Sequence, residues 1–125
     1  MGKNLIVRVN NMLREIKQSG KKLRWFTDEE IDLFIWYEDD RVIGFQLCYD
    51  KTKYERAFTW YKDGREYHHS IDAGEASPNK NMSPILVQDG YMNAKEVKDK
   101  FIKRAKNIDS KVTKLVTSIL KQKDT

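Results

Sequence analysis

The stretch RAFTWYKDGREYHHSI, residues 56–71, decides how this chain folds. Aromatic and polar residues alternate on both sides of Asp63-Gly64, which is typical of two strands joined by a two-residue type I′ turn. A turn of that type places Lys62 opposite Arg65. We therefore predict a β-hairpin whose register, and hence whose two faces, follow from this turn.

Strand-forming residues continue toward the N-terminus from this hairpin. We predict four strands in an antiparallel meander, at about 31–38, 42–49, 54–62 and 66–72. The other two turns are predicted at Asp39-Asp40 and at Lys51-Thr52. A capping-box signal at residues 27–30 competes for a helix start, but the alternation after it favours a strand.

The three turns together sort the side chains of the meander onto two faces. One face is predicted to be strongly apolar and to form the core, with Phe34, Trp36, Ile43, Phe45, Leu47, Phe58, Trp60, Tyr67, His69 and Ile71. The other face is predicted to be mixed, with Leu33, Ile35, Tyr37, Gly44, Gln46, Cys48, Ala57, Thr59, Tyr61, His68 and Ser70. Helices are the only elements left to cover the aromatic face of the sheet.

Helical periodicity precedes the strands. Apolar residues at spacings of three and four predict an amphipathic N-terminal helix, namely Leu5, Val9, Met12, Leu13 and Ile16. Asn4 is suited to cap its start, and Gly20 to take the left-handed position past its end.

The helical period returns from Asn93, which is suited to cap a helix. The segment forms either one long helix or two, and we favour two because Asn107 and Asp109 are poor helix formers. Residues 73–92 between sheet and helices are predicted to form a long loop, in which 84–87 is suited to a short edge strand. The predicted fold class is α+β: a helix, a four-stranded antiparallel meander, a long loop and one or two C-terminal helices, in a single domain over residues 1–125.

Composition excludes several classes of protein. An aromatic content of 11% is too high for a disordered chain, and no apolar run approaches the roughly 20 residues that span a bilayer. The N-terminus lacks the pattern of a signal peptide. Cys48 is the single cysteine, which excludes an internal disulfide and a thiolate zinc cluster within one chain. We predict a cytoplasmic protein without a cofactor and without a membrane partner.

Charge is distributed unevenly. Residues 1–24 carry a net charge of +6, residues 25–80 carry −6 and residues 81–125 carry +5. We favour an intramolecular explanation, in which basic helices pack over an acidic sheet. Nucleic-acid binding through the basic helices is the weaker alternative, and it would fall steeply with salt.

His68 and His69 are the only histidines of the chain. Adjacent residues of a strand point to opposite faces, so a regular strand prevents them from binding one metal ion, and no metal site is predicted. His68 is expected on the mixed face, where it is the one candidate for a general base. Four other residues of that face are candidates for ligand binding: Thr59, Gln46, Tyr61 and Ser70.

Residues 24–51, RWFTDEEIDLFIWYEDDRVIGFQLCYDK, followed by AFTW at 57–60 and PILVQDG at 84–90, resemble small bacterial proteins that have no assigned activity. The resemblance implies a bacterial cytoplasmic source. It implies no catalytic residue and no ligand.

Three functions stay open at this point. The first is a non-enzymatic binding or interaction module, with a homodimer as one form, that uses the mixed face or the free sheet edge at residues 66–72. The second is a small hydrolase or isomerase with His68 as general base, which requires that His68 is not buried against a helix. The third and weakest is the nucleic-acid binder described above.

Overall fold

The computed structural model describes residues 12–71, 86–88 and 92–123 of the chain. Within these ranges it contains seven strands and two helices. The strands are β1 (Arg14–Ile16), β2 (Leu23–Thr27), β3 (Asp32–Glu38), β4 (Arg41–Tyr49), β5 (Arg56–Tyr61), β6 (Glu66–Ile71) and β7 (Leu86–Gln88). The helices are α1 (Ala94–Arg104) and α2 (Ser110–Lys123).

The strands form one antiparallel sheet in which every strand pairs with the next along the chain. The α+β class and the antiparallel sheet are confirmed, but the four-stranded meander is wrong. Strands β1 and β2 precede the predicted strands, and the three-residue β7 extends the far edge. The predicted free edge at residues 66–72 is therefore not free, because His69–Ile71 pair with β7.

The predicted N-terminal helix is also wrong. Arg14–Ile16 form a strand that pairs with β2, and the backbone N–H of Leu13 donates to the carbonyl oxygen of Arg104 at 2.9 Å. Gly20, with φ +100°, lies between β1 and β2 and does not end a helix. The helical spacing of apolar residues does not decide the structure here. Leu13 is buried in the core and the residues after it pair with β2, and these tertiary contacts outweigh the local helical preference. Residues 1–11, which include Asn4, Leu5 and Val9, lie outside the described residues.

The predicted turns at Asp39-Asp40 and around Lys51-Thr52 are both present, the first as a two-residue turn and the second as a longer one. Asp39 and Asp40 have φ values of 52° and 67°, so the first hairpin closes through the two-residue type I′ turn and pairs Glu38 with Arg41. The turn around Lys51-Thr52 is longer than predicted, since pairing resumes only at Tyr49 and Arg56. Its register differs from the predicted one by two residues, which leaves each side chain on its predicted face relative to β4.

The Asp63-Gly64 turn is not of type I′. Gly64 has φ +102° but Asp63 has no positive φ, the N–H of Gly64 donates to the carbonyl of Tyr61, and the N–H of Tyr61 donates to the carbonyl of Arg65. This is a three-residue loop, a type I turn followed by a glycine bulge. The extra residue shifts the register by one, so Phe58 lies opposite His68 and not opposite His69.

A second irregularity lies between β3 and β4. The register shifts between Trp36 and Tyr37, so Phe34 lies opposite Gln46 and Trp36 opposite Gly44. The two one-residue shifts exchange the faces of β3 and β6 relative to β4 and β5, and the predicted division of the sheet is wrong for those two strands.

One face of the sheet, called the core face below, packs against both helices. Its buried residues include Phe26, Leu33, Ile35, Phe45, Leu47, Tyr49 and Phe58, which form one cluster with Val97, Phe101, Val112, Val116 and Leu120 of the helices. The two C-terminal helices are confirmed, and so is the cap at Asn93, whose side chain accepts from the N–H of Glu96 at 3.1 Å. Asp109 caps α2 by accepting from the N–H of Lys111 at 2.9 Å.

Two observations complete the fold. The predicted edge strand at 84–87 corresponds in part to β7, and most of the predicted loop 73–92 lies outside the described residues. Among the helices that the structure describes, none has the length and apolar character needed to cross a membrane.

Candidate binding face of the sheet

The face of the sheet that points away from the helices is called the outer face below. Its large side chains are Trp25, Phe34, Trp36, Tyr61, Tyr67 and His69, contributed by β2, β3, β5 and β6. Antiparallel sheets that face water on one side usually show polar residues there. The large rings of this face therefore mark it as the candidate functional surface of the described chain.

The rings of the outer face contact one another across the strands. Trp25 and Phe34 stack with centroids 5.8 Å apart, and Trp36 and Tyr61 stack at 5.7 Å. Tyr67 continues the row with an edge contact to Tyr61 at 6.3 Å and a stacked contact to His69 at 5.9 Å. Such contacts fix ring orientation and leave rigid, amphipathic surface for a partner.

Gly44 makes the longest of these rows possible. It lies between Trp36 and Tyr61 in the register of the sheet. A Cβ at this position would lie 3.0 Å from Cδ1 of Tyr61 and 3.2 Å from Cε3 of Trp36. The two rings therefore close over a glycine, which is a recurrent use of glycine inside a strand.

Two cations at the margin of the outer face are paired. Asp32 forms an ion pair with Lys51 at 3.2 Å and accepts a hydrogen bond from the indole N–H of Trp25 at 3.2 Å. Arg65 pairs with Asp63 at 3.0 Å and lies 4.3 Å from the ring centroid of Tyr61. The face consequently combines half-buried rings and the exposed Tyr67 with cations that are already paired.

The predicted site residues do not come together. Gln46, Thr59 and Tyr61 lie on the outer face, where Nε2 of Gln46 donates to Oγ1 of Thr59 at 3.0 Å. His68 and Ser70 lie on the core face, with the sheet between the two groups. The prediction that His68 shares a face with Thr59 is wrong because of the bulge at Gly64.

His68 has the surroundings of a core residue. Its side chain is only 9% exposed, it is hydrogen-bonded through Nε2 to the hydroxyl of Tyr49, and its ring stacks on the Tyr49 ring. A general base must reach the proton that it abstracts, and this position gives a substrate no such access. The hydrolase or isomerase hypothesis depended on His68 sharing a face with Thr59 and Gln46, and the structure separates them. His68 and His69 do point to opposite faces, as predicted, and the described residues contain no cluster suited to bind a metal ion.

Cys48 lies on the outer face but beneath its surface, opposite Ala57. Burial, and then the negative charges of Glu55 and Asp32, raise the pKa of its thiol to about 12. The carboxylate of Glu55 is close enough to Cys48 to disfavour a thiolate.

We expect the Cys48 thiol to be unreactive in the folded protein. Since the thiolate is the nucleophile, labelling by a disulfide reagent at pH 8 should be more than about a hundredfold slower than in the chain unfolded by guanidinium. Stopped-flow absorbance on the two samples provides the measurement. Equal rates would show that the outer face opens readily around Cys48.

Two of the surface cavities beside the sheet are lined by ion pairs. A cavity of about 310 Å³ between β4 and α1 contains Lys100, paired with Asp50 at 3.1 Å. Another of about 290 Å³ contains Arg24, which binds Glu15 at 2.8 Å; that hydrogen bond lowers the pKa of the Glu15 carboxyl. The ion pairs that line these cavities connect strands, loops and helices. The cavities are therefore weaker candidates for a functional site than the outer face.

The sequence of β2 does not show by simple alternation which of its residues belong to the outer face. In LRWFT, residues 23–27, polar and apolar side chains do not alternate cleanly, because Arg24 shares the core face with Phe26 while Trp25 points outward. Arg24 reaches over the ring of Phe26 at 5.0 Å and bonds outward to Glu15 and Asp109. Its side chain thus covers apolar surface at the margin of the core face while keeping its charge paired.

The resemblance of residues 24–90 to small bacterial proteins stays a prediction. No protein-family model, no curated protein and no solved structure matches this chain.

Proposed function

We propose that this protein is a non-enzymatic interaction module, and that its outer face binds the same face of a second copy of the chain. The observation that carries the proposal is the row of contacting rings formed by Trp36, Tyr61, Tyr67 and His69 on the face away from the helices. Trp and Tyr are the side chains that dominate binding energy in protein interfaces, because they bury a large area at a low entropic cost.

The charge of the outer face favours a protein partner over a nucleic-acid strand. A sheet that stacks unpaired bases also needs cations for the phosphates. Here Arg65 and Lys51 are already paired with Asp63 and Asp32, and residues 25–80 carry a net charge of −6. With its cations already paired, this face can instead bury its rings against the same face of a second copy across a twofold axis.

The edges of the sheet support the same choice of surface. The edge strands β1 and β7 have three residues each, and short edge strands offer little backbone for strand addition. Association through the face, with side chains interdigitating, is the geometry left for a sheet with one covered side.

Tyr67→Glu tests the proposal. Tyr67 is 40% exposed at the end of the ring row, so a carboxylate there would place two like charges in a twofold interface. We expect the native protein to dimerise at micromolar concentration, and the variant to dimerise at least about tenfold more weakly, which corresponds to about 1.4 kcal/mol. Sedimentation equilibrium from 1 to 500 µM, a range of concentrations set by about that affinity, gives both constants.

Tyr54→Glu is the matched control. Tyr54 is 81% exposed in the loop between β4 and β5, so the same chemical change away from the outer face should leave the dimerisation constant unchanged. A native protein that stays monomeric over the whole range contradicts the proposal. So does an equal effect of the two substitutions, because it would report net charge and not the outer face.

A further inference from the structure

Helix α2 carries a stripe of lysines on the side that faces away from the core. Lys111, Lys114 and Lys121 are all exposed, as is Ser118 between them. Their spacing of 3, 4 and 3 residues keeps them on one side of the helix, opposite the buried Val112 and Val116. The stripe is about 15 Å long at 1.5 Å per residue.

Several basic residues of α1 form ion pairs, whereas the lysines of the stripe on α2 do not. In α1, Lys95 pairs with Asp99 at 3.9 Å, Lys100 with Asp50 at 3.1 Å and Arg104 with Asp28 at 2.9 Å. Helix α2 contains no Asp or Glu. None of its three stripe lysines forms an ion pair with any residue in the part of the chain that the structure describes. Three basic residues of α1 are thus engaged within the fold, whereas the three stripe lysines, like the exposed Lys103 of α1, present their charge to solvent.

The position of Lys111 is also unfavourable for the helix itself. It lies in the first turn of α2, where the helix dipole favours an acidic residue and disfavours a cation. The helix dipole does not account for a lysine at this position, and the local charge that attracts Lys111 is the carboxylate of the capping Asp109. A function that needs positive charge on this surface does account for it.

We infer that the lysine stripe of α2 binds the phosphate backbone of double-stranded nucleic acid. Closely spaced negative charge along a rigid rod, with about one charge per 1.7 Å of duplex, complements three unpaired cations on a straight helix. The small side chains Ser110 and Ser118 permit close approach of a phosphate backbone to the helix; the Ser118 hydroxyl itself donates to the carbonyl oxygen of Leu115 at 2.9 Å. The inference concerns the side of the molecule opposite the outer face and does not depend on the proposed function.

The same observations disfavour two other polyanions. A single strand requires aromatic side chains for base stacking, and the stripe contains none. An anionic membrane surface requires apolar side chains that enter the lipid beside the cations, whereas the exposed residues of the stripe are lysines and serine. Both polyanions are included in the experiment as competing outcomes.

The test measures binding of the native chain to a 20-base-pair DNA duplex by fluorescence anisotropy between 25 and 200 mM salt, concentrations over which about three phosphate contacts change affinity measurably. We expect a micromolar Kd at low salt, and a salt slope that becomes shallower by about 1 for each Lys→Gln change at Lys111, Lys114 or Lys121. The triple variant should lose binding, while the triple Lys→Arg variant should retain it. Lys95→Gln on α1, which removes the same charge elsewhere, should change affinity less than about twofold.

Lys111→Glu separates binding from folding. By the dipole argument it should raise the midpoint of thermal unfolding, and at the same time it should weaken duplex binding by more than about tenfold. A lower midpoint together with weaker binding would indicate damage to the helix, and the Lys→Arg variant then decides whether charge is required. Three results would overturn the inference: equal loss with Lys95→Gln, tighter binding to a single strand than to the duplex, and binding to phosphatidylserine vesicles without binding to the duplex.

Discussion

Replacing Asp28 with alanine is expected to lower the free energy of unfolding by about 3 kcal/mol, the largest effect of any single charged residue in the described chain. The side chain of Asp28 is 0% exposed although it carries a carboxylate. A buried charge of this kind is stable only when its lone pairs are fully used.

The contacts of Asp28 explain the size of the expected effect. Its Oδ1 accepts from the N–H groups of Glu30 and Ile31, each at 2.8 Å, and so closes the turn between β2 and β3. Its Oδ2 accepts from Nη1 of Arg104 at 2.9 Å, at the end of α1. One carboxylate therefore holds a turn of the sheet and the end of a helix together. Its removal leaves the buried N–H of Ile31 and the partly buried N–H of Glu30 without their acceptor, and the guanidinium of Arg104 without its buried anion.

Urea unfolding of Asp28→Ala and Asp28→Asn gives the measurement. The asparagine variant should lose less stability, because its amide oxygen can still accept from the turn while its neutral side chain cannot pair with Arg104. Asp99→Ala is the matched control, since Asp99 is exposed and pairs with Lys95 within one helix, and its expected effect is below about 0.5 kcal/mol. Equal losses for Asp28→Ala and Asp99→Ala would contradict the role given to the buried carboxylate.

Local chemistry in the sequence predicts strands β3 and β4 and the starts of the two C-terminal helices well. Strands β3 and β4 lie within one residue of their predicted bounds because the Asp39-Asp40 turn admits the positive φ values that a type I′ hairpin requires. Asn93 and Asp109 fix the ends of the C-terminal helices for the same kind of reason, since their side chains accept from backbone N–H groups.

Register was much harder to predict, because it depends on single residues. An Asp-Gly pair is compatible with a two-residue turn and with a type I turn followed by a glycine bulge, and Asp63-Gly64 adopts the second. The shift at Trp36 and Tyr37 carries no signal in the alternation of apolar residues, which are dense on both sides of it. Each shift moves a whole strand of side chains to the other face.

Those two shifts also decided the prediction of the site. They move Phe34 and Trp36 from the predicted core to the outer face, and they move His68 from the predicted site into the core. Gln46, Thr59 and Tyr61 stay where they were expected, because β4 and β5 keep their relative faces. A surface that extends across several strands can therefore be predicted from sequence only when the length of every intervening turn and the position of every bulge are known.

Replacing Gly44 with alanine is expected to lower the free energy of unfolding by about 2 kcal/mol and to separate the Trp36 and Tyr61 rings. A Cβ at this position would lie 2.7 Å from the carbonyl oxygen of Trp60, a backbone atom of the neighbouring strand that cannot rotate away. The strands must therefore move apart, or the rings must give up the stacked arrangement that now has centroids 5.7 Å apart. Urea unfolding and near-ultraviolet circular dichroism measure the two effects separately.

Substitutions at Gly64 serve as a comparison, because a glycine can be required either for lack of space, as at Gly44, or for its backbone conformation, as at Gly64. It has φ +102° and no atom within 4 Å of a built Cβ, so substitutions there are costly through conformation alone, and asparagine, which tolerates positive φ, should cost less than alanine. At Gly44 the order should reverse, because asparagine is larger and the obstacle is the Trp60 carbonyl. If Gly44→Ala leaves both stability and the aromatic dichroism intact, the rings do not depend on the glycine. If the dichroism changes and dimerisation is lost with it, the row of rings on the outer face is the surface that the second copy binds.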